Sequence, residues 1–167
     1  LAGIVAVFSG PLDAGEAALR PLREIGAPVA DLAGPIPYRT AQTFFDAAFQ
    51  AGRRNYWKSA FLRDLSDEAI DVLAEAFSRA PSPSAAIGIE HLAGVMGRVG
   101  PAETAFAHRR SPFNLLIVSA WDDPAEDERN IAWARETAAA MKPWLADAVY
   151  VNYMGDAAAE GEDRTRA

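Results

Sequence analysis

The chain has 167 residues, half of them hydrophobic, with 23 acidic against 16 basic side chains and a formal charge of -7. That is enough for one domain with a full core, and the acidic balance argues against nucleic acid or an anionic membrane surface as partner, since both require a basic face. The absence of cysteine excludes disulfides, zinc-thiolate sites and cysteine nucleophiles.

In chain order, residues 3–8 (Gly-Ile-Val-Ala-Val-Phe) read as a buried strand ended by Ser9-Gly10-Pro11. Asp13, with Glu16 three residues on, reads as a capping box opening a helix with Leu19, Leu22 and Ile25 as its apolar stripe. Residues 28–37 are proline-rich and loop-like, and residues 40–49 suggest a short helix. Residues 56–62 alternate as a strand, with Trp57, Ser59 and Phe61 on one face and Tyr56, Lys58, Ala60 and Leu62 on the other. Ser66 or Asp67 caps a helix whose Ile70, Leu73 and Phe77 recur at helical spacing. Pro81-Ser82-Pro83-Ser84 breaks it, and residues 85–92 return as a strand, followed by a turn at Gly94 and Gly97.

Residues 104–108 suggest a short strand, and 113–121 a long, strongly apolar one. Asp123-Pro124 with Glu126 marks a helix start, with Ile131, Ala134, Ala138 and Met141 inward and Pro143 as its stop. Residues 148–153 are expected to form a last strand, and residues 155–167 a polar tail. No apolar run reaches the ~18 residues of a membrane span, and residues 1–8 are too short and lack a basic flank for a signal-peptide core. A cytoplasmic location is therefore favoured.

Two β-α-β units emerge, 56–92 and 113–153, with a hairpin-like pair between them. The expected fold is α+β, a mostly antiparallel sheet with helices on one face and ferredoxin-like character. A parallel α/β sheet is disfavoured because the glycine-rich phosphate turn is absent. The strand 113–121 reads dry on both faces, so a second domain or a partner subunit is expected over the helix-free face. The alternative is cover by the chain's own loops. A stand-alone dimeric ferredoxin-like module, binding a small molecule without flavin, also fits this pattern, with a homodimer through the exposed sheet face.

Several stretches resemble the flavin-linked oxidases related to berberine bridge enzyme. They are Arg53-Arg54-Asn55-Tyr56-Trp57-Lys58-Ser59-Ala60-Phe61-Leu62, Phe106-Ala107-His108-Arg109, the strand ending at Trp121, Ile131-Ala132-Trp133-Ala134-Arg135, and Tyr150-Val151-Asn152-Tyr153. They occur in the family's order, from about residue 4 to residue 154. The resemblance implies that residues 1–154 are the substrate-binding half of an FAD-dependent oxidoreductase. The tail 155–167 would then open the family's closing segment.

The implied partners are an FAD-binding half of the same polypeptide and a small organic substrate. The only histidines are His91 and His108, and neither has the glycine-rich setting of a flavin-attachment site. The chain is expected neither to hold FAD tightly nor to turn over alone. In the parent, a C–H or alcohol group would be oxidised by hydride transfer to flavin, with oxygen as the expected acceptor.

The resemblance makes Tyr150 and Tyr153 active-site candidates, Tyr153 as base and Tyr150 as substrate contact; otherwise they are edge tyrosines with solvated hydroxyls. A tyrosinate base requires its ordinary pKa of ~10 to be lowered. Strand parity places the two rings on opposite faces, so the motif must lie at a strand end or bulge. Asn152 is a candidate flavin donor or a turn cap.

Lys58 is either a cation steadying a tyrosinate or an anionic substrate, or a lysine that snorkels to solvent or pairs with Glu90. Tyr56, Asn114 and Ser119 complete the candidate substrate contacts. So few polar side chains on 113–121 argue for an apolar, aromatic or polyketide-like substrate over a sugar. His108-Arg109 reads as structural, the carboxylates at 122–128 as helix capping, and no metal site is expected.

Overall fold

A computed structural model describes residues 1–148 and 150–153. Two compact units divide the chain, Leu1–Ala47 and Ala48–Ala167. The expected polar tail lies outside the described residues.

The first unit holds helix α1 (Leu12–Arg23) and the four-residue helix α2 (Tyr38–Ala41). The strand expected at 3–8 is not formed. Ile4, Val5 and Val7 are exposed, and no strand of this unit is there to satisfy their backbone donors and acceptors in a ladder. Asp13 is not the cap either. Pro11 occupies that position without a side-chain hydrogen bond, and Asp13 lies in the first turn, where a carboxylate suits the positive end of the helix. Leu22 and Ile25 of the expected stripe are exposed. Gly15 alone is buried in α1, under the Phe8 ring, where an added Cβ would come within 2.9 Å of that ring. Instead of the helix expected over 40–49, α2 is followed by turns.

The second unit contains a three-stranded antiparallel sheet in the order β1-β3-β2, with β1 Arg54–Leu62, β2 Ala86–His91 and β3 Phe113–Trp121. Helix α3 (Asp67–Ser78) crosses from β1 to β2, and helix α5 (Asp127–Ala140) follows β3. A short helix α4 (Val95–Arg98) lies between β2 and β3 and begins after Gly94, whose φ of +71° suits glycine. Since β1 and β2 both run antiparallel to β3, the first β-α-β unit is split by the central strand. The fold is α+β, as expected.

Among the described residues, the strand expected at 148–153 is not formed. Residues 145–148 begin to pair along β1, with an isolated bridge Leu62–Leu145, a 2.7 Å bond from Ala146 N to Phe61 O and a 3.3 Å bond from Phe61 N to Ala148 O. Val149 lies outside the described residues, and Val151–Tyr153 form a 3-10 turn in place of strand. The strand expected at 104–108 is also absent. There Arg109 donates to Met96 O at 3.1 Å and to Thr104 Oγ1, so a side chain organises the loop that a ladder would otherwise hold.

The core lies between the sheet and the helices α3 and α5. It gathers Leu62, Leu115 and Ile117 from the strands with Leu73, Trp133, Ala134 and Met141. Each large side chain removed from water there contributes about 1.5–3 kcal/mol. Ser66 caps α3 by accepting from Ala69 N at 3.4 Å. The buried face of that helix is Ala69, Leu73 and Ala76, while Ile70 and Phe77 stay exposed. The expected stripe is thus rotated toward small residues that admit close packing; Trp133 Nε1 donates to Ala76 O at 2.8 Å. Asp123 accepts from Ala125 N at 2.9 Å, which confirms the expected start of the following helix. The neighbouring acids are used in pairing: Asp122 with Arg53, Asp127 with Arg54, and Glu126 with Arg129. Among the described residues, no helix is long and apolar enough to cross a membrane.

Candidate active site on the open face of the sheet

Register sorts the side chains of the sheet onto two faces. Tyr56 pairs with Ser119, Lys58 with Ile117, Ala60 with Leu115 and Leu62 with Phe113, all on the face covered by helices. Trp57 pairs with Val118, Ser59 with Leu116 and Phe61 with Asn114, on the opposite, open face. In β2, Ala86, Gly88 and Glu90 align with Val118, Leu116 and Asn114 on that open face.

The expected site residues therefore divide. Tyr56, Lys58 and Ser119 lie on the helix face. Tyr56 Oη accepts from Arg135 Nε at 3.0 Å, and Ser119, fully buried, donates to Asn130 Oδ1 at 2.8 Å. The Lys58 ammonium lies 6.0 Å from the Tyr56 ring centroid, alongside a groove lined by α5 residues such as Arg135 and Ala138. Lys58 is thus on the wrong side of β1 to steady a tyrosinate at 153, and it cannot pair with Glu90, which projects from the other face. Tyr56 and Ser119 tie α5 to the sheet.

Asn114, Tyr150, Asn152 and Tyr153 gather on the open face. Tyr153 Oη donates to Glu90 Oε1 at 2.8 Å, and Asn114 Nδ2 donates to Glu90 Oε2 at 2.8 Å. Asn152 Nδ2 donates to Tyr150 Oη at 2.8 Å, and Ser59 Oγ donates to the Tyr153 carbonyl at 3.4 Å. The 3-10 turn resolves the parity problem, because residues three apart eclipse in that geometry. Tyr150 and Tyr153 accordingly share a side, edge to face at 5.1 Å.

An aromatic floor surrounds them. Phe61, fully buried, meets Tyr150 at 6.4 Å, Phe106 at 6.1 Å and His108 at 5.1 Å. Trp57 lies 6.3 Å from Tyr153 and 5.1 Å from Phe49. The chain's own loops thus cover part of the dry open face, and His108 packs there as an aromatic plate. Leu116 at its centre remains half-exposed.

Burial, and then the hydrogen bond to Glu90, push the Tyr153 phenol up to about 12. That runs against a free tyrosinate at this position and favours a protonated phenol handed to a carboxylate. Sequence reasoning missed Glu90 as a site residue. The pairing of β2 with β3 was the decisive signal, since only register shows that Glu90 shares a face with Asn114.

Among the described residues, two buried polar atoms on this face have no protein partner, Trp57 Nε1 and Asn114 Oδ1. A buried donor and a buried acceptor without partners are costly unless a ligand or water meets them. With the aromatic floor, they suit a flat heterocycle or aromatic substrate with polar edges. Among the described residues, no group of three or more His, Asp or Glu is arranged to hold a metal ion.

No family model matches the chain. An uncharacterized FAD-linked oxidoreductase of Bacillus subtilis, YgaK, is 28% identical over 149 residues, covering 87% of this chain and 33% of that protein. The oxidoreductase GilR, solved with pregilvocarcin, superposes with a TM-score of 0.54 at 28% identity, over 69% of this chain and 25% of GilR. Berberine bridge enzyme from Eschscholzia californica has a TM-score of 0.58 at 22% identity, over 68% of this chain and 24% of that one, and shows the same fold. The chain is similar to FAD-linked oxidoreductases and shares the fold of berberine bridge enzyme. It spans about a third of the length of the curated relatives it matches, which are FAD-linked oxidoreductases.

Proposed function

We propose that this chain is the substrate-binding part of an FAD-dependent oxidoreductase that oxidises a C–H or alcohol group of a small organic molecule. The carrying observation is the open face, where Tyr150, Tyr153, Asn114 and Glu90 stand on an aromatic floor beside two unpartnered buried polar atoms. FAD, when bound, supplies the hydride acceptor. Trp57 and Asn114 are the residues suited to its ring or to the substrate lying against it. The sequence has no glycine-rich turn for a pyrophosphate, so an FAD-binding half of the same polypeptide is the proposed partner and the remaining cover of Leu116.

In this reading Tyr153 orients the substrate hydroxyl and Tyr150 flanks it. The aromatic rings exclude water and favour an apolar, aromatic substrate. GilR, at 28% identity, was solved with pregilvocarcin, which supports the same substrate class. Oxygen is the proposed terminal acceptor. The test is anaerobic mixing of the FAD-loaded full-length protein with hydrophobic aromatic alcohols and lactols, and with free sugars. Bleaching of the flavin by the aromatic set supports the assignment. Fast bleaching by sugars alone overturns the substrate class, and no bleaching by either set overturns the function.

A further inference from the structure

We propose that the helix face of β1 carries a second binding site, for a small single-tailed carboxylate of the fatty-acid type. The site is the groove between β1, α5 and residues 142–148. It stands apart from the oxidation reading above, because β1 separates it from Tyr150 and Tyr153.

The groove has a volume of about 500 Å³, within the range of about 300–1,000 Å³ that small-molecule sites occupy. Short side chains leave this space. Ala60 on β1, Ala138 on α5 and Ala146, whose N–H bonds to Phe61 O, all line it and stop at Cβ. Leu115 and Ile117 line it too and are each 1% exposed, so the groove reaches down to the core. Its walls are hydrocarbon, and removing apolar surface from water favours an apolar chain lying there.

The rim has the opposite character. Arg135 and Ala138 lie three residues apart on one stripe of α5, and Lys142 opens the 3-10 turn that follows. Lys58 comes from β1, two residues before Ala60 and on the same face. Among the described residues, three basic side chains line the groove, Lys58, Arg135 and Lys142, against one acidic side chain, Asp147. The chain as a whole has 23 acidic side chains against 16 basic ones, so the positive sign is local to the groove.

Two of these cations meet at one end. The Lys58 ammonium lies 6.0 Å and the Arg135 guanidinium 5.4 Å from the Tyr56 ring centroid. Arg135 Nε donates to Tyr56 Oη at 3.0 Å, which holds the guanidinium at that end. A guanidinium matches a carboxylate in geometry as well as charge. An apolar trough ending in two cations therefore suits a hydrocarbon body with one acid head. An inorganic anion would make no use of the walls, and an uncharged lipid none of the cations.

Isothermal titration of the FAD-loaded full-length protein with decanoate tests the site. One decanoate should bind per chain. Decanol, with the same tail and no charge, should bind roughly tenfold more weakly, the scale of one charge-assisted hydrogen bond. Lys58→Met keeps the apolar stem and removes the charge, and should weaken decanoate by about the same factor. Ala138→Leu places a good helix former in the space. It should abolish binding without lowering the urea midpoint. Tyr150→Phe, on the open face, should leave decanoate affinity unchanged.

No binding by millimolar decanoate would overturn the site, and is the result expected if a further segment of the parent protein fills the groove. Equal affinity for decanol would overturn the acid head, a comparison that stands even if Ala138→Leu misfolds. Decanoate binding lost in Tyr150→Phe and kept in Ala138→Leu would put the ligand on the open face and overturn the proposal. So would self-association that Ala138→Leu abolishes, which would give the groove to a second copy of the protein.

Discussion

Tyr150 and Tyr153 face each other edge to face at 5.1 Å, on one side of a single 3-10 turn in which Tyr153 N bonds to Tyr150 O at 2.9 Å. A strand would have sent the two rings to opposite faces. The turn makes the pair available together to whatever lies on the open side of the sheet, and it puts Tyr153 within reach of Glu90.

Removing one hydroxyl should separate the roles of the two tyrosines. Tyr153→Phe should slow flavin reduction in the full-length protein by about 100-fold with little change in KM, since it deletes the hydroxyl proposed to orient the substrate for reaction. Tyr150→Phe should act mainly on KM. Steady-state and single-turnover kinetics of both variants check this.

Residues on the helix face should affect stability and leave chemistry alone. Ser119→Ala leaves the buried Asn130 Oδ1 without its donor, a loss of about 1–3 kcal/mol. Urea unfolding should show it, with flavin reduction unchanged in the folded variant. Lys58→Ala should likewise leave the reduction rate near wild type.

The core between sheet and helices should respond as a packed interior. Leu115, 1% exposed at the centre of β3, should cost about 2–5 kcal/mol when changed to Ala. A lower urea midpoint with an unchanged slope would show that stability alone changed.

Two groups contribute to the pH dependence of stability at opposite ends. The folded-state pKa of Tyr153 lies above its ordinary value of 10.0, at about 12. Its protonated form therefore contributes stability that is complete below pH 10 and is lost as pH rises through 12. At the other end, the Arg54 guanidinium, assisted by Trp121 Nε1, holds Asp127 below the ordinary carboxylate range. That contribution is present above the ordinary value and disappears as pH falls through the lowered one. Arg54→Ala should flatten the acid limb of an unfolding profile, and Tyr153→Phe the alkaline limb.

Where local signals were dense, the sequence alone located the elements. The alternation of β1, the dry run of β3, the Ser66 cap and the Asp123-Pro124 start each carry their own physical signature, and all four lie where expected. The failures share a cause. Residues 3–8 and 104–108 have strand-like composition, but a strand exists only with a partner, and partners are a tertiary matter. Residues 150–153 look like strand and form a turn, which changes which rings meet.

The division of the site residues follows from register. Parity within β1 correctly separated Trp57, Ser59 and Phe61 from Tyr56, Lys58 and Leu62. It could not say which set faced the helices, so Tyr56, Lys58 and Ser119, expected as substrate contacts, lie on the helix face apart from Tyr150 and Tyr153. Glu90 stayed hidden because its meaning depends on lying beside Asn114 and beneath Tyr153, three segments far apart in sequence.

The most direct test of the central claim is anaerobic stopped-flow of the FAD-loaded full-length protein with an aromatic alcohol. Wild type, Tyr153→Phe and Ser119→Ala would be compared by flavin absorbance. The open-face account predicts rapid bleaching in wild type and Ser119→Ala and roughly 100-fold slower bleaching in Tyr153→Phe. Equal rates in wild type and Tyr153→Phe, or a selective loss in a folded Ser119→Ala protein, would contradict it.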